Sequence, residues 1–204
     1  MFRIILGIFI FFFSSFALAI DVKELGDFSS RSVLLTNKDK QKPNQELITI
    51  LASKKLYPNT QCLINEIDKG NIENVLLLLK TNMDINQSYY GEYPIYHAAK
   101  KNNFEMVKLL FENGAKLDRG FYSELYEAVR NKNTQMAQFL IDNNAKVNYT
   151  DYLTNNTILS LSLKNDMNDI TKQLIQKGAL IDTKSAIFIK KKKINLEEFT
   201  NASK

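Results

Sequence analysis

Residues 93–118 read YPIYHAAKKNNFEMVKLLFENGAKLD, and this stretch decides the fold. Pro94 suits a first helical position, where its missing N–H has no partner to lose. Ile95, Ala98 and Ala99 recur at helical spacing, and a polar break follows at Lys101, Asn102 and Asn103. A second helix then carries Val107, Leu109, Leu110 and Phe111 and stops at Gly114, a residue that takes the left-handed cap without penalty. Two helices this short cannot bury their apolar faces alone. The stretch therefore predicts neighbours of the same design.

Those neighbours are legible on both sides. Asn82, Gly114, Asn144 and Gly178 occupy one register, 32, 30 and 34 residues apart. Each is followed by Met83, Ala115, Ala145 or Ala179. An aliphatic comes next in register (Ile85, Leu117, Val147, Ile181), and then Asn86, Asp118, Asn148 or Asp182. A period near 33 marks a stack of supersecondary units, which offers an extended surface rather than a catalytic pit.

The pattern resembles the ankyrin-repeat family. The match runs Tyr93-Pro94-Ile95-Tyr96-His97-Ala98-Ala99, then Asn102, then Val107, Leu110, Gly114-Ala115 and Leu117-Asp118. Weaker copies keep Leu63, Gly70, Val75 and Leu78-Leu79; Leu125, Ala128 and Leu140; and Thr157, Leu159 and Leu174. In one departure, Tyr96 stands at the family's histidine position and His97 beside it. The resemblance implies a mainly α fold: a solenoid of about four helix-turn-helix units with short hairpin connections and terminal capping helices. The units fall at 59–86, 87–118, 119–148 and 149–182. A capping helix is expected over 45–58, with Leu47, Ile48, Leu51 and Leu56 apolar and Pro58 as its stop. Residues 183–204, with Ala186, Ile187, Ile189, Ile194, Leu196 and Phe199, read as a partial unit or C-terminal cap that closes the stack.

The N-terminus has another character. Arg3 precedes IILGIFIFFF at 4–13, and Ala17-Leu18-Ala19 follows, which reads as a signal peptide over 1–19 cut between Ala19 and Ile20. An uncleaved membrane anchor is the alternative, although 4–19 is shorter than a comfortable span. Removing 19 of 204 residues leaves 185, and losing Arg3 lowers the formal charge from +5 to +4. Residues 20–44 read as a polar linker in which Val33-Leu34-Leu35 makes a brief contact. Abundant Asn, Lys and Ile with no Trp suit an AT-rich genome, such as those of many bacteria and some eukaryotes.

Composition excludes several chemistries. One histidine and one cysteine supply no zinc cluster and no intramolecular disulfide. Cys62 reads as a small core residue. Neither His97 nor Glu197-Glu198 belongs to a nucleophile or acid–base motif, and no cofactor is expected. The dense lysines at 190–193 read as a solvated face that keeps the end of the stack soluble. Nucleic acid is not an expected partner at so low a net charge.

The irregular connections carry the functional signal. They hold Tyr89, Tyr90, Tyr93, Phe121, Tyr122, Tyr149 and Tyr152, and tyrosine is a favoured interface anchor. The resemblance implies that these hairpins and the first-helix face line a binding surface, with Glu92, His97, Lys100, Arg119, Glu127 and Arg130 as polar contacts. The expected function is non-catalytic binding of a protein partner outside the cytoplasm, in the periplasm or after secretion, by a monomer. The alternatives are a membrane-anchored envelope protein and a host-directed secreted effector.

Overall fold

The computed structural model describes residues 45–196. The segment expected to be a signal peptide, the expected Ala19–Ile20 junction, the expected linker at 20–44 and residues 197–204 lie outside the described residues. Ten helices are described: α1 Gln45–Ser53, α2 Thr60–Asp68, α3 Ile72–Leu79, α4 Pro94–Lys100, α5 Phe104–Glu112, α6 Glu124–Arg130, α7 Thr134–Asp142, α8 Ile158–Lys164, α9 Asn168–Gln176 and α10 Thr183–Lys192. First helices α2, α4, α6, α8 and α10 pack on one another in that order. Each of the first four also packs on the second helix that follows it, and α1 rests on α3 as α7 rests on α9.

Local chemistry explains the helix boundaries. Second helices begin at Asn71, Asn103 and Asn133, whose side chains accept from the backbone N–H of Asn74, Met106 and Met136. First helices begin at Asn59, Ser123 and Thr157, which cap in the same way; α4 uses Pro94 at its start instead. The turn between the paired helices is a left-handed residue followed directly by the cap of the next helix. In α4, Asn102 N–H donates to Ala99 and Asn103 N–H to Ala98, and the same pair of bonds recurs after α2, α6, α8 and α10. The left-handed residues are Gly70, Asn102, Lys132, Asp166 and Lys193. The expected second set is left-handed too, with φ of 61° at Asn82, 92° at Gly114, 61° at Asn144 and 84° at Gly178.

The core is a column between the two helix layers. Leu63, Leu78, Ile95, Leu110, Leu125, Leu140, Leu159 and Leu174 are all essentially inaccessible. Ala98 and Ala128 are inaccessible as well, and their small side chains let α2, α4 and α6 approach closely. Between units, Asn86 reaches across to donate to Gly114 O at 2.9 Å and accept from Lys116 N–H at 2.8 Å. Asn148 repeats this with Gly178 O at 3.1 Å and Leu180 N–H at 2.8 Å. Asp118 accepts from Lys146 N–H, but a carboxylate has no proton for the second bond.

Four sequence expectations need correction. The first helix ends at Ser53, well short of Pro58, because Lys55 turns left-handed and Leu56 N–H closes back on Leu51 O. Ile48, read as an apolar contact, is 46% exposed on its outer side. Cys62 is half-buried rather than core, lying in the first turn of α2. At the other end, Ile181 and Ile187 are 46% and 60% exposed and Ala186 is exposed. Among the described residues no second helix follows α10 to cover its outer side.

Candidate functional site

Each first helix runs from a hairpin connection to a tight turn, so the stack has a hairpin edge and a tight-turn edge. A helix of seven to ten residues separates them by roughly 10–15 Å. The hairpin of 89–92 is a two-residue turn: Tyr89 and Glu92 exchange backbone bonds at 2.9 and 3.1 Å, while Tyr90 and Gly91 take φ of 51° and 80°. The 149–157 connection is joined by the Thr150–Thr157 bridge, and Asp151 accepts from both Thr154 N–H and Thr154 Oγ1 at its tip.

Three successive tips each present one exposed aromatic side chain. Tyr90 is 92% exposed, Phe121 84% and Tyr152 71%, with Leu153 beside Tyr152 at 78%. The three aromatics are 31 residues apart, so they line up along the hairpin edge at the repeat period. Tyr90 holds a left-handed backbone usually left to Gly or Asn, and its ring meets Tyr89 edge-on at 4.5 Å. Gly120 belongs to the same edge. A Cβ there would sit 3.0 Å from the Tyr93 ring and 3.2 Å from Gly91 O, so glycine permits adjacent hairpins to close up.

Several other expected contact residues are engaged inside the protein, while Lys100, Arg119 and Arg130 remain exposed. Tyr122 does not stand at a tip; it stacks on Tyr96 with ring centres 4.7 Å apart and planes within 15°. Tyr149 packs on the core and against Tyr126, and burial pushes its hydroxyl up to about 12. Tyr93 is half-buried under Arg119, whose guanidinium lies 5.8 Å from the ring centre. The Tyr96 hydroxyl donates to Glu127 Oε1 at 3.1 Å, occupying the family's histidine position with a different bond.

Glu127 is only 5% exposed, so it is not a free contact for a partner. Its Oε2 lies 2.5 Å from Arg130 Nη2 without hydrogen-bond geometry. Burial pushes its carboxyl upward, while Arg130 and the Tyr96 hydroxyl pull it back. His97 sits between Asp68 Oδ1 at 3.3 Å and Glu92 Oε2 at 2.8 Å, and Lys100 holds the other Glu92 oxygen at 3.1 Å. His97 thereby ties the end of α2 to the hairpin of its own unit. A polar residue missed in the sequence is Glu124, fully inaccessible at the start of α6 with Oε1 unpartnered. The only sequence signal was position: it stands where the best-kept unit has Pro94.

Among the described residues no group of three His, Cys, Asp or Glu is placed to hold a metal ion. No described helix is long and apolar enough to cross a membrane. A family model for three copies of the ankyrin repeat matches residues 34–121, and a single-repeat model matches 122–152. Together they cover more than half of the 204 residues. The chain is an ankyrin-repeat protein. The first match begins within the segment read as linker. In the structure α1 has the place of a second helix, resting on α3 and closing with the bonds that end the later second helices. A Rickettsia bellii (strain RML369-C) protein described as an ankyrin repeat protein is 47% identical over 58 residues, 25% of this chain. The match spans 34%, about a third, of that curated relative's length. Ankyrin repeats are generally protein–protein interaction modules, typically without catalysis of their own.

Proposed function

We propose that this ankyrin-repeat protein is an exported, non-catalytic binding module that holds a protein partner along its hairpin edge. The observation that carries the reading is the row Tyr90, Phe121 and Tyr152, at 92%, 84% and 71% exposure with constant spacing. An exposed aromatic at a tip adds little to folding. Tyr90 even accepts a left-handed backbone, a cost of about 1–3 kcal/mol. On a partner surface the same rings cover much apolar area with few rotatable bonds. Arg119, exposed beside Phe121, supplies a rim charge.

The test places a photoreactive phenylalanine analogue at Phe121 in the native host, with Lys108 on the outer layer as a control site. A single specific adduct is expected from 121 and none from 108. Replacing Tyr90 and Tyr152 with Ala should remove the adduct while leaving the melting temperature within a few degrees, because neither side chain is buried. An adduct that persists in the folded Tyr90→Ala, Tyr152→Ala protein rules out this edge as the site. Export is tested separately on the protein recovered from the cell envelope. The reading of 1–19 as a leader predicts a first residue of Ile20; an intact Met1 terminus supports the anchored alternative instead.

A further inference from the structure

The tight-turn edge is as charged as the hairpin edge is aromatic. Its five segments are 68–71, 100–103, 130–133, 164–167 and 190–194. They contain ten Lys or Arg against Asp68 and Asp166, a net charge of +8 in a chain whose total is +5. The structure brings these distant segments together. Asn133 Nδ2 donates to Asn102, Asn165 Nδ2 to Val129 O, and Lys192 bonds to Asp166 and Leu163 O. Basic residues in the last turn of a helix favour its dipole, which accounts for about one lysine per helix. It does not account for the remainder. Lys101, Lys132, Lys164, Lys190, Lys191 and Lys193 are exposed, and among the described residues none of the six forms an ion pair.

We propose that this edge is a docking surface for the anionic face of a lipid bilayer. The uncommitted charges are all lysines, strongly hydrated point charges that need no registered partner geometry. They stand at the C-terminal ends of α4, α6, α8 and α10, whose neighbouring axes are roughly 8–10 Å apart, which suits a flat charged plane. Among the described residues the single arginine on this edge, Arg130, is committed to Glu127, and no exposed aromatic stands there to stack a base. Ile187, 60% exposed, lies three and four residues before Lys190 and Lys191 on α10. It therefore shares their face, an apolar contact that a bilayer surface accepts. Seated this way, the chain leaves Tyr90, Phe121 and Tyr152 pointing away from the lipid. The docking surface is independent of the hairpin-edge site.

The test is flotation of the full chain with neutral phosphatidylcholine vesicles and with vesicles containing about one third phosphatidylglycerol, at ionic strengths from about 0.05 to 0.3 M. Binding should require the anionic lipid and weaken steeply with salt. Each lysine near an anionic surface contributes about fivefold to partitioning. Lys101→Gln, Lys132→Gln, Lys164→Gln and Lys191→Gln together should therefore weaken it several hundredfold, roughly the product of four such factors. The charge-matched control Lys80→Gln, Lys116→Gln, Lys146→Gln and Lys177→Gln, on the hairpin side, should weaken it by less than about tenfold. Unchanged helical content and melting temperature certify both variants. Three results overturn the proposal. One is equal retention by neutral vesicles, the signature of the apolar run at 4–13. Another is equal loss in both variants. The third is capture by polyglutamate or duplex DNA at lower concentration than by vesicles of equal charge.

Discussion

Replacing Glu124 with glutamine is expected to stabilise the folded chain by about 3 kcal/mol at pH 8 and to change little below pH 4.5. Glu124 has no accessible surface, one oxygen accepts from Asp118 N–H at 3.1 Å, and the other has no partner. Burial pushes its carboxyl up to about 7 from the usual 4.5, against the pull of backbone N–H groups and with help from the Asp118 charge. A raised folded value means that the native state holds the proton more tightly than the unfolded chain. Its contribution to stability is therefore complete below 4.5, falls as pH rises from 4.5 to 7, and stays lost above 7. Glutamine keeps the shape and the acceptor oxygen and never ionises. Asp151 and Asp166, held low by hydrogen bonds from Thr154 and Lys192, slope the other way. The informative quantity is therefore the difference between variant and native protein in urea unfolding from pH 4 to 8. Parallel curves across that range would show that Glu124 is not desolvated.

The inter-unit asparagines should give the second large effect. Asn148→Ala removes the bonds to Gly178 O and Leu180 N–H, and Asn86→Ala those to Gly114 O and Lys116 N–H. Each loss is expected to cost about 2 kcal/mol, two bonds at about 1 kcal/mol each. In a stack, stability is a sum of units and their interfaces, so the Asn148→Ala chain should lose its fourth unit before the others. Hydrogen exchange should show α8 and α9 unprotected while α4 and α5 remain protected. At the equivalent interface Asp118→Asn should act in the opposite direction, by about 1 kcal/mol. The amide gains the donor that the carboxylate lacks and no longer places a half-buried charge near Glu124; burial already pushes the Asp118 carboxyl up. A loss of stability in Asp118→Asn would mean that the charged bond to Lys146 N–H outweighs both terms.

Much of the fold was legible because it is written in local chemistry. Asn82, Gly114, Asn144 and Gly178 take the left-handed cap that glycine and asparagine favour, and all four do so in the structure. Lys132 takes the same conformation without any such signal. There the helix pair overrides a local preference of about 1–2 kcal/mol, because burying two apolar faces is worth more. The candidate site was legible only as a set of aromatics near the hairpins. Phe121 and Tyr122 are adjacent in sequence and opposite in fate: Phe121 stands at a tip, while Tyr122 stacks on Tyr96.

The sequence by itself determined the repeat, its period, the caps and the aliphatic column, because each depends on a few neighbouring residues and helical spacing. Tertiary structure alone decided which side chain of each adjacent pair faces solvent, since a two-residue turn sends neighbours in different directions and the next unit covers one of them. It also decided that Glu124 and Glu127 are buried. The lysines of four helices, about 30 residues apart in the chain, became one edge because stacking translates every unit by a single helix width.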